Sequence, residues 1–175
     1  MSAGGEGIMR IVRLGISHFK SIRKVVLEDI ENALILVGQN NTGKTTVLDA
    51  IRAVGGGYQI QQEDFDESGS NIEIEVEISY EEDDFTQMQR NGKISRYRRM
   101  DAWMDDFCRK LPSYKDGSLI FTFIANRDGK VRYDDGFHKN NRYIREIFPK
   151  IYYVDAERNL DSSRRICFSC RRMSN

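Results

Sequence analysis

The sequence predicts an α/β fold: a phosphate-loop lobe with an antiparallel β annex. Three observations predict it. Gly38-Gln39-Asn40-Asn41-Thr42-Gly43-Lys44-Thr45 matches G-x-x-x-x-G-K-S/T in full, between a short apolar run and a helical pattern. Residues 71–80 alternate strictly, with Ile72, Ile74, Val76 and Ile78 on one parity and Glu73, Glu75 and Glu77 on the other. Asp128-Gly129 separates two strand-like runs, the signature of a hairpin.

In chain order, Ile8, Arg10, Val12, Leu14 and Ile16 share one parity of a first strand. His18 to Ser21 interrupts it, and Ile22 to Glu28 resumes as its hairpin partner. Leu34 to Val37 reads as a buried strand that feeds the glycine loop. Gly38 and Gly43 permit the backbone angles a phosphate-wrapping loop needs, and its N–H groups form an anion nest. Asn40, Asn41, Thr42, Gly43, Lys44, Thr45 and Thr46 complete the predicted cradle. Lys44 is a point charge for the β- and γ-phosphates, and the Thr45 hydroxyl suits Mg2+. Val47, Leu48, Ile51 and Val54 recur at helical spacing, so a helix dipole adds to the site. Gly55 to Gly57 closes that helix.

Residues 58–69 are polar and acidic and predict a mobile loop. The 71–80 strand has one wet face, which predicts antiparallel neighbours; its glutamates read as solvated, not as a metal ladder. A short helix over 81–89 carries acids in its first turn. Met100, Trp103, Met104, Phe107 and Leu111 form one stripe of a helix over 97–111, a core face that Pro112 ends. Ser118 to Ala125 and Lys130 to Tyr133 are the two hairpin strands, 140–148 is a short helix, and Ile151 to Val154 is a last apolar strand.

With 175 residues the chain is long enough for one domain with a real core, and its net charge is zero. Total charge therefore gives no argument for nucleic acid. Arg90, Lys93, Arg96, Arg98 and Arg99 form one basic run, and Arg158, Arg164, Arg165, Arg171 and Arg172 another. Both are read as solvated faces rather than phosphate-backbone contacts. No apolar stretch approaches the roughly 20 residues of a membrane helix. Cys108, Cys167 and Cys170 are a sparse, odd set, which points to a reducing cytoplasm, and no second ligand pair joins Cys167 and Cys170 for zinc. Residues 1–8 are expected to be a flexible leader, 9–160 the lobe, and 161–175 an irregular basic tail.

Ile16-Ser17-His18-Phe19-Lys20-Ser21-Ile22 resembles the N-F-R/K-S segment that opens ABC-type ATPases of the RecF, SMC and OLD (overcoming lysogenisation defect) group. Gly38 to Ile51 is similar to their phosphate loop and following helix, G-x-N-x-S/T-G-K-S/T-x-x-L/I-x-A-I/L. Residues 149–158 resemble the strand and x-A-x-R segment of OLD-like members. The resemblance implies an ABC-ATPase head-like lobe that binds ATP and Mg2+, acts in DNA repair or phage defence, and closes as a head-to-head homodimer on ATP, with DNA as a further partner. By position, Lys20 would approach the nucleotide. Asp155 imitates a metal-shell carboxylate and Glu157 a water-polarising one; the other reading is a strand-end turn.

No S-G-G-type signature segment and no adjacent Asp-Glu pair occurs at the end of an apolar run. The chain is therefore expected to be the first lobe of a longer ATPase, inactive or slow alone. The alternative is a nucleotide-gated binding module without turnover, acting on a partner protein or DNA.

Overall fold

Alternation in the sequence becomes one antiparallel sheet. The computed structural model describes residues 9–31, 36, 43–90, 99–149 and 151, with residues 89 and 90 as backbone only. β1 (Arg10–Phe19) and β2 (Ile22–Leu27) form the expected hairpin across a tight turn at Lys20 and Ser21. β1 pairs on its other edge with β3 (Ile72–Ser79), and β3 pairs with β5 (Ser118–Ala125). β4 (Tyr114–Lys115) and β6 (Val131–Asp134) share the far edge of β5. All these pairings are antiparallel, in the order β2-β1-β3-β5. The expected strands over 34–37 and 151–154 lie outside the described residues, apart from Leu36 and Ile151, which pack against the core.

Ile72, Ile74, Val76 and Ile78 are all buried, as their alternation predicts. Each such side chain contributes about 1.5–3 kcal/mol by leaving water. β1 departs from its predicted single parity. The register shifts between Ile11 and Arg13, so Ile11 is buried alongside Leu14 and Ile16 while Val12 is only half-buried. A bulge adds one residue and reverses the alternation on either side of it. A second departure lies at His18, whose φ of 57° precedes the fully buried Phe19.

Four helices complete the described fold: α1 (Lys44–Val54), α2 (Glu82–Arg90), α3 (Met100–Lys110) and α4 (Tyr143–Ile147). The α3 stripe packs as expected, with Trp103 and Phe107 buried, Leu111 buried just past the helix end, and Met100 and Met104 at the margin. Phe107 is the hub of an aromatic cluster. Its ring lies 5.0 Å from Trp103, 5.2 Å from Tyr114, 5.6 Å from Phe85 and 6.0 Å from Tyr80, mostly edge-on.

Two local features differ from expectation. Asp116-Gly117 makes a second tight hairpin, with φ of 51° and 79°, and creates β4. Positive φ at both turn residues is what Asp-Gly tolerates best. The 58–69 segment, expected to be mobile, instead contains a 3-10 turn at Gln62–Asp64. The Asp64 carboxylate accepts the Gln61 N–H at 2.8 Å, and the Asp64 carbonyl accepts the Lys20 N–H at 2.7 Å. Among the described residues no helix is long and apolar enough to cross a membrane.

Candidate functional site

α1 starts in the way an anion-binding helix requires. Gly43 takes a left-handed φ of 84°, and no side chain caps the helix. A Cβ at Gly43 would be strained by that angle and would stand 3.7 Å from the Ile22 side chain. The loop's last glycine is thus seated against the start of β2, beside the Lys20-Ser21 turn. The first helical N–H groups have no partner within the helix, and Lys44, Thr45 and Thr46 put no acid among them. Thr45 is exposed and Thr46 is buried. This start fits a phosphate group, with the Thr45 hydroxyl available to its Mg2+.

Behind α1 stands a charged network. Lys20 Nζ donates to Asp49 Oδ2 at 2.7 Å and lies 3.7 Å from Asp64 Oδ1. Asp49 also receives Arg52 at 3.2 Å, and the Tyr58 hydroxyl donates to Asp64 at 2.8 Å. The Lys20 ammonium sits 4.6 Å from the Tyr58 ring centre and 5.4 Å from that of Phe19. Burial alone would lower its pKa, but the bonds with Asp49 and Tyr58 outweigh burial and raise it. One ammonium therefore ties the β1-β2 turn, α1 and the 58–64 segment together. Sequence reading singled out Lys20 but not Asp49, Tyr58 or Asp64. The available signal was an acid inside the apolar pattern of α1.

This network makes Lys20 a positioning residue for α1. Lys20→Met is expected to cost about 1–2 kcal/mol of stability in urea melts, because Asp49 and Asp64 lose a charged donor. Combined with Asp49→Asn, the double variant is expected to lose at least about 0.5 kcal/mol less than the two single losses added. Strict additivity would refute the pairing.

His18, Asp66 and Ser68 also meet, but not as a nucleophile relay. Asp66 Oδ2 lies 2.7 Å and Ser68 Oγ 3.3 Å from the same ring nitrogen, Nδ1. A relay needs base and orienting acid on opposite nitrogens. The Asp66 carboxyl is held down at about 2 by the Ser68 hydroxyl and then by His18.

Gly38, Asn40, Asn41, Thr42, Asp155 and Glu157 lie outside the described residues, as do Cys167, Cys170 and the second basic run. Among the described residues no group of three His, Cys, Asp or Glu side chains is arranged to hold a metal ion.

Comparison with known proteins bears on this site. No curated protein matches the chain. Among solved structures, one described under "Structural biochemistry of ATP-driven dimerization and DNA stimulated activation of SMC ATPases" is similar at a TM-score of 0.46 and 20% identity, over 70% of this chain and 67% of that one. The family model described as an AAA ATPase domain matches residues 9–165, which takes in the glycine loop, α1 and the whole described sheet. The chain belongs to the AAA ATPase domain family.

Proposed function

We propose that the chain binds ATP with Mg2+ through Gly38, residues 40–46 and the start of α1, as an ATP-binding lobe of the OLD/RecF/SMC-like kind. The observation that carries this reading is the left-handed, uncapped Gly43 at the head of a helix whose first residue is Lys44. Backbone N–H groups and the Lys44 charge hold the phosphates, and Thr45 holds the metal, which when bound neutralises charge on the β- and γ-oxygens. Lys20 reaches the site through Asp49, by fixing α1. ATP serves as the ligand of a head-to-head homodimer acting on DNA, in repair or phage defence.

A second reading is a nucleotide-gated module without turnover. Both readings share the nucleotide cradle. A thermal-shift titration with Mg·ATP, with phosphate release measured on the same samples, tests it. No shift refutes both readings; a shift without release is the result expected of either; a shift with release refutes the module and means that the chain completes the catalytic unit by itself. Asp155→Asn is expected to leave Mg·ATP affinity within about twofold, as for a residue that ends a strand. A large loss confined to Mg2+-dependent binding would assign Asp155 to the metal shell instead.

A further inference from the structure

Three consecutive glycines, Gly55 to Gly57, stand where α1 ends. The last four carbonyls of a helix have no partner within it. Three of them are met here by the glycines' own N–H groups. Gly55 donates to the Ile51 carbonyl at 3.2 Å, Gly56 to that of Ala53 at 3.0 Å and Gly57 to that of Arg52 at 2.8 Å. The fourth, on Val54, accepts the hydroxyl of Tyr133 on β6 at 2.7 Å. Val54 and Tyr133 are both buried, so no water competes for that bond. Burial pushes the Tyr133 phenol up, and the nearby Arg145 charge offsets only part of this, so the hydroxyl keeps its proton and donates.

Close approach requires glycine at this end. A Cβ on Gly55 would stand 3.1 Å from Ile151 Cδ1 and 3.4 Å from Phe148 Cε1. One on Gly56, whose φ is 77°, would stand 3.1 Å from Arg145 Nη2. α4 and the residues after it therefore close on the end of α1 and bring a guanidinium to the negative end of its dipole. The opposite end is built otherwise. No side chain caps it, and its first turn holds no acid. The Lys20–Asp49 pair holds α1 from the side, at its second turn. A helix of 11 residues is about 16 Å long and moves as a rod. Its place along its own axis is set where an end is held, which is at the glycines.

We propose that Tyr133 is a positioning residue for the nucleotide site: by capping the far end of α1 it sets how far the start of the helix advances towards the phosphates. The inference rests on the ATP-binding reading above. The contacts of Phe148 and Ile151 are apolar and non-directional, whereas a hydrogen bond is selective in both length and angle. Tyr133 also has a fixed base. Its ring packs 5.5 Å from that of Phe123 and 6.1 Å from that of Phe121, both on β5. The hydroxyl thus carries the position of the sheet to Val54, and α1 carries it to Gly43 and Lys44.

The test is Tyr133→Phe in the whole chain, which keeps the ring and removes the hydroxyl. Mg·ATP affinity is measured by calorimetry well below the melt, so that every variant is folded. It is expected to fall about fivefold or more, as for two coupled sites. The ligand-free melt is expected to fall by about 2–6 °C. Ile78→Val is the control for stability alone. It removes one methylene from a fully buried side chain at the other end of β3. It is expected to lower the melt by a similar amount and to keep the parental affinity. In amide correlation spectra without ligand, the resonances of Gly43 to Thr46 are expected to move in Tyr133→Phe and to stay in place in Ile78→Val. Parental affinity in Tyr133→Phe would overturn the proposal. So would unmoved resonances at Gly43 to Thr46, or an equal loss of affinity in Ile78→Val. A parent chain that takes up no Mg·ATP would refute the nucleotide reading and the inference with it, whereas a parent that binds beside an indifferent Tyr133→Phe would refute the inference alone.

Discussion

Lys44→Ala is expected to abolish the stabilisation that Mg·ATP gives the parent chain. At 100 times its dissociation constant a ligand adds about 2.7 kcal/mol. For a chain of this size that is about 5–10 °C in melting temperature. The variant is expected to show no shift over the same titration. The loss arises at the first position of α1, where Lys44 follows the left-handed Gly43 and the motif's lysine meets the β- and γ-phosphates. An ammonium at a helix N-terminus adds charge where the dipole is already positive, so without ligand it is not a stabilising choice for the helix. Alanine is also the best helix former. The ligand-free variant is therefore expected to melt within about 2 °C of the parent. An undiminished ATP shift in the variant would remove the basis for assigning the site. A collapse of the ligand-free melt would show instead that Lys44 serves the fold.

Phe107→Ala is expected to cost about 3–5 kcal/mol of stability, at the top of the range for the described residues. Phe107 is fully buried and faces the rings of Tyr80, Phe85, Trp103 and Tyr114 at once. Truncation removes its transfer energy and leaves a cavity whose walls are rigid rings on different elements: Trp103 on α3, Phe85 on α2 and Tyr114 on β4. Rigid walls relax little, so the cavity penalty persists. Chemical denaturation followed by tryptophan fluorescence reports it directly, because Trp103 is the chain's one tryptophan. Phe107→Leu, which keeps most of the volume, is expected to cost under about 1.5 kcal/mol. A loss below about 1 kcal/mol for the alanine variant would mean that the cluster repacks around the gap.

How much of this was readable in advance follows the range of the forces involved. β3 and α3 were legible because their burial is periodic within a few residues, and periodicity is local. The Asp128-Gly129 hairpin was legible for the same reason, and Asp116-Gly117 carried an equal signal that went unread beside so short a strand. The parity of β1 was not legible. The bulge between Ile11 and Arg13 is imposed by pairing with Ile78 and Glu77, more than sixty residues away. The 58–69 segment reads as mobile because it is polar and acidic, and the bonds of Asp64 with Gln61 and Tyr58 inside it leave no mark in that composition. What fastens it is Lys20 on another hairpin, which reaches Asp64 from both backbone and side chain.

The sequence by itself determined the helix that leaves the glycine motif, the antiparallel annex and the apolar face of nearly every described element. Each rests on backbone permissiveness or on side-chain spacing within one segment, and both are properties of adjacent residues. Charge pairing was decided only by the tertiary structure. A zero net charge and two basic runs gave no indication that Lys20 would be enclosed by Asp49, Asp64 and Tyr58. Ion pairs form between whatever groups the packed backbone brings within a few ångströms, so their pattern exists only once the sheet and its turns are in place.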